Sequence, residues 1–366
     1  VRFLALNVQD FRNLPLARMR MGEGPLFLLG GNGRGKTSVL EALSLASALR
    51  SFRTNDARTM IRHGAHVAKI YCEIEHEREG RLTVEIALMG GGKTVSVDGN
   101  PLPRVSELVG RYPTVPLSSQ DIQLVRSGPS VRRRFMDMML AEADKASFDA
   151  LRRYGKALQG RTALLKTGSA PEIAAFEKPL ADAAAELVAA RKNAVAELLP
   201  LFRETYAGIA PENEVPEFIY KPDTALETSD AFAQRFAANR GRDILRGIST
   251  SGPHLDDYEI RLGGKSAKEY ASEGQQRGLV LALRLAQARW LKARTGILPV
   301  ILADDIMGEL DPVRRAAFWS NLGREAQVIA TGTEIPAAEK EDPRFNIVAI
   351  ETLLAKEETA PAGNPS

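Results

Sequence analysis

The run Gly30-Gly31-Asn32-Gly33-Arg34-Gly35-Lys36-Thr37 fits the pattern G-x-x-x-x-G-K-[ST] without a gap, and nothing else in the chain restricts its fold as strongly. The apolar segment Leu26 to Leu29 precedes it, and Ser38 to Ala46 follows with helix-forming residues, so strand, loop and helix are predicted in that order. Glycines let backbone amides wrap phosphate oxygens, and the helix N-terminus adds a favourable dipole. Gly30, Gly31, Asn32, Gly33, Arg34, Gly35, Lys36, Thr37 and Ser38 are therefore the expected nucleotide-binding positions. Lys36 is expected to reach the β- and γ-phosphates, and Thr37 to offer its hydroxyl to Mg²⁺. A glycine-rich turn capped by a helix is the plain alternative, and the flanking pattern favours a nucleoside triphosphate.

Composition narrows the remaining choices. The chain has 366 residues, 26% charged and 44% hydrophobic, which suits a globular protein of two or three units at roughly 150 residues each. One cysteine, Cys72, excludes an internal disulfide and a multi-cysteine zinc site, and its apolar surroundings predict a buried strand position. His63 and His66 are close in sequence, but no spacing completes a metal site around them. No apolar stretch approaches the ~18 residues of a membrane span. The opening segment meets a carboxylate at Asp10, too early for a signal peptide, so a soluble cytoplasmic protein with no membrane partner is expected. Lys plus Arg number 49 against 46 Asp plus Glu, a net of +3, which does not by itself establish a nucleic-acid partner.

Along the chain, Phe3 to Val8, Val67 to Glu75 and Leu82 to Leu88 read as strands, with turns at Gly90 to Gly92 and at Asp98-Gly99-Asn100. From about Ser130 to Asn239, alanine, leucine and charged residues predict long amphipathic helices joined near Gly168-Ser169. Neither arm sustains the heptads of an extended coiled coil. Strands return at Asp257 to Leu262, Ile297 to Ala303, Gln327 to Ala330 and Phe345 to Ile350. Residues 355–366 are polar and carry Pro and Gly, as expected of a disordered tail.

Two further motifs complete a site. The apolar strand Val300 to Ala303 ends in Asp304-Asp305, where Asp304 would hold Mg²⁺ and Asp305 would orient or deprotonate the attacking water. With Lys36 they form the catalytic set. A helix N-cap is the alternative, but it needs one aspartate rather than two. Ser272-Glu273-Gly274-Gln275-Gln276 opens a helix with Leu279, Leu283, Ala286 and Trp290 on one face. In isolation a capping box of Ser272 and Gln275 is the better explanation of that start. Phosphate loop, Ser-x-Gly-Gln helix and Asp-Asp strand follow the order found in ATP-binding-cassette (ABC) ATPases. In that class the signature helix faces the phosphate loop of a second protomer. Glu309-Leu310-Asp311 matches the segment placed across that interface, so Ser272, Gly274, Gln275, Gln276 and Asp311 join the expected nucleotide contacts.

Within that class the chain resembles the RecF family, relatives of the SMC proteins. Asn7 to Asn13, Arg50 to Thr54, Asp121 to Pro129, Arg132 to Asp137 and Gly252 to Asp257 carry the resemblance, with departures at Leu255, Glu273 and Phe176. The resemblance implies an α/β fold. An ABC-type P-loop ATPase head, a mixed β-sheet with helices, would occupy residues 1–125 and 241–354. A helical lobe would be inserted at 126–240, with no long coiled coil. It implies ATP and Mg²⁺ as cofactors, with Gln120 linking the metal to the lobe and Arg12 and Asn13 near the adenine edge. It implies an ATP-dependent homodimer that binds duplex DNA and ssDNA–dsDNA junctions. It further implies partnership with RecO and RecR in loading RecA, and weak, DNA-stimulated ATP hydrolysis. Arg50, Arg53, Arg58, Arg62, Arg132 and Arg133 are the candidate DNA contacts, each with a solvated surface arginine as its alternative. An SMC-like ATPase or nuclease of a defence system is the competing function, and a nuclease would need a further acidic cluster.

Overall fold

The computed structural model describes residues 1–354 except 50, 55, 168–169, 211–213 and 324. Arg50, the Gly168-Ser169 connection and the tail 355–366 thus lie outside the described residues. Contacts divide the chain into two compact units, where the sequence texture placed its divisions at 125 and 240.

The first unit comprises Val1–Pro103, Leu302–Gly308 and the described part of Gln327–Ser366. Its larger sheet follows from period-two alternation. In Val67–His76 the residues Ala68, Ile70, Cys72 and Ile74 are buried, and they pair across to Leu88, Ile86, Val84 and Leu82 of Gly80–Met89. The full antiparallel order is Leu14–Arg20, Arg2–Phe11, Val67–His76, Gly80–Met89, Gly92–Val97 and Asn100–Pro101. Cys72 sits in this buried face, as its neighbours predicted. Asp98 (φ 49°) and Gly99 (φ 75°) supply the two left-handed residues that a tight hairpin turn requires.

The second sheet of this unit carries the chemistry. Leu26–Leu29 lies between Asn346–Ala349 and Val328–Gly332, parallel to both, and Val300–Asp304 neighbours the latter. Leu26, Phe27, Leu28, Ile329 and Ala330 are all buried, the pattern of strands covered on both faces. The helix Lys36–Ala48 buries Val39, Leu40, Ala42, Leu43 and Ala46. Because the central strands run parallel, their carboxyl ends gather at one edge, and Gly332 lies level with Leu29. The phosphate loop opens from that edge.

The second unit comprises Arg104–Ile301 and Glu309–Ala326. Its helices are Pro129–Ala143, Lys145–Thr167, Ala170–Ala207, Ser229–Arg246, Glu273–Thr295 and Pro312–Leu322, with shorter turns between them. Ala170–Ala207, which carries Pro179 and Pro200 internally, packs along Lys145–Thr167, Ser229–Arg246 and Glu273–Thr295. One strand, Pro216–Lys221, falls inside the stretch read as helical and pairs antiparallel with Asp257–Leu262. Its Phe218 is buried and stacks on Tyr258, so a short alternating β-rich run prevails over helix formers on either side. Two fully enclosed arginines pin the helices. Arg161 donates to Asp243 (2.7 Å) and Ser249 (2.8 Å), and Arg191 to Asp137 (2.7 Å) and Asp256 (2.8 Å). Among the described residues, no helix is long and apolar enough to cross a membrane.

Candidate nucleotide-binding site

The phosphate loop is held open by its neighbours. Asn13 donates from Nδ2 to the Gly33 carbonyl (2.7 Å), and its Oδ1 accepts from the Ser38 hydroxyl (2.8 Å), so the turn after the first strand braces both loop and helix. Gly35 has φ +102°, and a Cβ there would lie 2.5 Å from Leu14 Cδ2, which explains a glycine at that position. Lys36 is buried, with its ammonium held over the loop by the carbonyls of Gly30 (2.6 Å) and Gly31 (3.3 Å).

The two acids meet the loop through hydroxyls. Thr37 Oγ1 lies 2.9 Å from both carboxylate oxygens of Asp304, and Thr331 donates to Asp304 Oδ1 (2.8 Å). The Thr331 oxygen also accepts from the Asp305 backbone N–H (3.1 Å). Asp305 is left-handed (φ 53°), a conformation unusual outside glycine, and this amide bond helps hold it there. Burial pushes the Asp304 carboxyl above its ordinary pKa. The Thr331 and Thr37 hydroxyls oppose the rise, the Asp305 charge adds to it, and the Arg53 charge opposes it.

A cavity of about 550 Å³ runs from Gly31–Gly33 and Gly35–Ser38 past Asp305 to Arg12, Arg53, Thr59, Ile61 and His63. Arg12 forks onto Glu41 (2.9 and 2.6 Å) and also donates to the Thr59 carbonyl (2.7 Å). Glu41 is fully buried and further accepts from Ser51 and from Arg53 (3.4 Å). Sequence reasoning missed Glu41, and a lone carboxylate inside an otherwise apolar helical run was the available signal. Arg53, read as a candidate DNA contact, lines this cavity. Arg34 is exposed on the loop, Arg58 forks onto Asp56 (3.0 and 2.9 Å), and Arg62 lies 3.5 Å from Asp10.

The remaining expected positions belong to the second unit. Ser272 and Gln275 form the reciprocal capping box, with Ser272 N–H to Gln275 Oε1 at 2.8 Å and Gln275 N–H to the serine oxygen at 3.2 Å. Ser272 is exposed, and the start of its helix faces solvent in this chain. Gln276 turns inward instead. It accepts from Arg126 (2.7 Å) and donates to the carbonyls of Ala271 (3.1 Å) and Ala267 (3.3 Å). Asp311 caps the helix Pro312–Leu322 by accepting from the Arg314 amide (2.9 Å), and that bond chiefly lowers its pKa. A Cβ on Gly274 would lie 3.3 Å from Arg314 Nη2. Gln120 is exposed in a short 3₁₀ turn, Ser119–Ile122. Arg132 forks onto Asp257 (2.9 and 3.0 Å) and donates to the Ser127 carbonyl (2.6 Å), while Arg133 donates to the Asp256 carbonyl (2.7 Å). Both arginines brace the unit that contains them.

A phosphate loop and an Asp-Asp strand end joined at the carboxyl edge of parallel strands, accompanied by a Ser-x-Gly-Gln helix and an inserted helical segment, define a P-loop ATPase head of the ABC type. The chain is 34% identical to the DNA replication and repair protein RecF of Myxococcus xanthus, over 91% of each chain. It is 35% identical to the RecF of Anaeromyxobacter dehalogenans, over 91% of this chain and 93% of that one. It belongs to the RecF family. A solved structure of the recombination mediator RecF with ATP, from the RecFOR pathway, matches with a TM-score of 0.84 at 28% identity and covers 92% of both chains. An SMC head bound to the winged-helix domain of ScpA shares the fold, with a TM-score of 0.53 at 15% identity. No protein-family model matches the chain.

Proposed function

We propose that the chain is an ATP-gated DNA clamp acting in DNA replication and recombinational repair. One observation carries this reading: the bonded set Thr37, Asp304, Thr331 and Asp305 beside the phosphate loop, in a chain whose relatives are named replication and repair proteins. The loop amides and Lys36 bind the triphosphate, and Asn13 keeps the loop in the shape that does so. The donor set fits Mg²⁺. Thr37 and Asp304 present hard oxygens 2.9 Å apart, and a buried carboxylate is the group that gains most from a cation. Bound there, Mg²⁺ supplies positive charge to the oxygens of the transferring phosphoryl group.

In this reading two chains meet head to tail. The exposed start of the helix Glu273–Thr295, with Ser272, Gly274 and Gln275, closes over the triphosphate of the other chain, and Asp311 lies along the seam. Asp305 orients the attacking water. Aspartate is one methylene shorter than glutamate, so its water is placed less favourably and turnover is slow. Loss of the γ-phosphate removes the bridging contacts and opens the dimer. The joined surfaces bind the backbone of duplex DNA and ssDNA–dsDNA junctions, and RecO and RecR are the partners for loading RecA.

Fluorescence anisotropy of labelled duplex DNA tests the gating. ATP should promote binding that ADP does not, and Asp305→Asn should retain DNA in ATP after the native chain has released it. Equal DNA affinity in ATP and ADP would rule the clamp out.

A further inference from the structure

The six-stranded sheet carries a second cavity, of about 510 Å³, on the face opposite its buried one, and none of its lining residues belongs to the phosphate loop. We propose that this trough binds an extended peptide segment of a partner protein, one that carries an acidic and a basic residue about four positions apart.

Register builds the trough. Arg18, Asn7, Tyr71, Glu85, Ser96 and Pro101 stand opposite one another in turn, one from each of the six strands. Gln9, Lys69, Ala87 and Thr94 form a second row two residues along each strand. The residues between the rows, Val8, Ile70, Ile86 and Val95, are buried on the other face. A slip of one residue would turn that core outward, so both rows are fixed. Side chains are short at Ala87, Thr94 and Ser96 and long at Arg18, Lys69 and Tyr71, which leaves a low floor beside a raised bank.

The polar groups of this face are uncommitted. The side chains of Asn7, Gln9, Arg18, Lys69, Glu85 and Ser96 make no hydrogen bond or ion pair among the described residues. The strand backbones are paired in the ladders, so a ligand here is read by side chains. Arg18 and Lys69 place positive charge on one half of the trough, and Glu85 places negative charge on the other. Arg18 and Glu85 lie three strand spacings apart, about 14 Å at ~4.8 Å each, which an extended chain covers in about four residues. Between those charges, the half-buried Tyr71 ring and Ala87 suit a small apolar side chain. Glu85 stands in the row and Glu73 follows Tyr71 on the same strand face, and both repel a phosphate backbone. A small metabolite would cover only a fraction of a row that crosses six strands. A bipolar peptide matches the charges, the length and the floor together.

Screening the native chain against a bead library of acetylated pentapeptides, randomised at every position, tests this. Selected peptides should carry Asp or Glu at one end and Lys or Arg at the other. With the most enriched peptide as the probe in fluorescence anisotropy, Ala87→Arg, which fills the floor, should weaken binding at least about tenfold. Glu85→Lys should weaken it comparably, and exchanging the basic residue of the peptide for Glu should restore it. Both variants should keep native urea midpoints and ATP affinity, and Lys36→Met should bind the peptide as the native chain does. A library that yields no such charge pair would overturn the proposal and leave the nucleotide site standing. So would a selected peptide whose affinity survives Ala87→Arg or Glu85→Lys. Duplex DNA that binds more tightly to Glu85→Lys and more weakly to Arg18→Glu would make the face a nucleic-acid surface and overturn it as well.

Discussion

Thr331→Val probes the bonded set that organises both acids. Thr331 is 1% exposed, and its hydroxyl donates to Asp304 Oδ1 at 2.8 Å and accepts from Asp305 N–H at 3.1 Å. Valine keeps the volume and the β-branch, so no cavity opens and the strand is undisturbed. What disappears is one bond to a carboxylate and the acceptor of a backbone amide, each worth about 1–3 kcal/mol when its partner is left unsatisfied. Part of that, about 1–3 kcal/mol, should appear as lost stability in urea unfolding. The rest acts on geometry. Asp305 is held at φ 53° and, without its amide bond, relaxes toward ordinary backbone angles, carrying its carboxylate off the cavity wall. Displacing an orienting group by an ångström costs on the order of 100-fold in rate. ATP binding, set by the loop and Lys36, should change little. Single-turnover ATP cleavage should fall at least about tenfold, and Thr331→Ser should recover both stability and rate. A Thr331→Val chain that cleaves ATP at the native rate would refute the reasoning.

Gly35→Ala places a methyl 2.5 Å from the enclosed Leu14 at φ +102°, so ATP binding should be lost in a filter or calorimetric assay, with about 1–3 kcal/mol of destabilisation. Arg161→Met leaves Asp243 buried without its cation, while Glu177 keeps Arg240 at 2.6 Å. Urea unfolding should register a loss of about 3–5 kcal/mol, reduced when Asp243→Asn is added. Burial pushes the Glu142 carboxyl up to about 8, against an ordinary 4.5, with the Arg284 charge opposing. The folded chain therefore holds a proton that the unfolded chain has lost between those values. Stability is fully present below pH 4.5 and falls as pH rises towards 8, by up to ~1.4 kcal/mol per unit. Glu142→Gln should flatten that slope and be the more stable chain at pH 8, as read from urea midpoints at pH 5, 6.5 and 8.

The parts of the fold that were legible are those where local chemistry leaves one option. Eight consecutive residues state the phosphate loop, because only glycines permit the turn and only Lys and Thr or Ser supply the needed groups. Alternation around Ile70, Cys72 and Ile74 likewise fixed a half-buried strand. The Ser-x-Gly-Gln helix and the Asp-Asp strand were readable as a pair through their order, although each had an ordinary capping alternative. What stayed hidden depends on distant residues meeting. Thr331, on the neighbouring strand, bonds both the Asp304 carboxylate and the Asp305 amide, and nothing in its own neighbourhood announces that. Glu41 gathers Arg12 from one segment and Ser51 and Arg53 from another. Arg132 was read as a candidate DNA contact, and its partner Asp257 stands 125 positions along. The strand Pro216–Lys221 was masked by flanking helix formers, and only its pairing with Asp257–Leu262 makes it stable.

Sedimentation velocity with ATP and Mg²⁺ tests most directly whether two chains share each triphosphate. The native chain should sediment as a dimer with ATP and as a monomer without it. Lys36→Met, which disarms the cradle, and Ser272→Arg, which blocks the closing helix, should both remain monomeric at every ATP concentration. Variants that dimerise as the native chain does, or a native chain that stays monomeric in saturating ATP, would contradict that sharing.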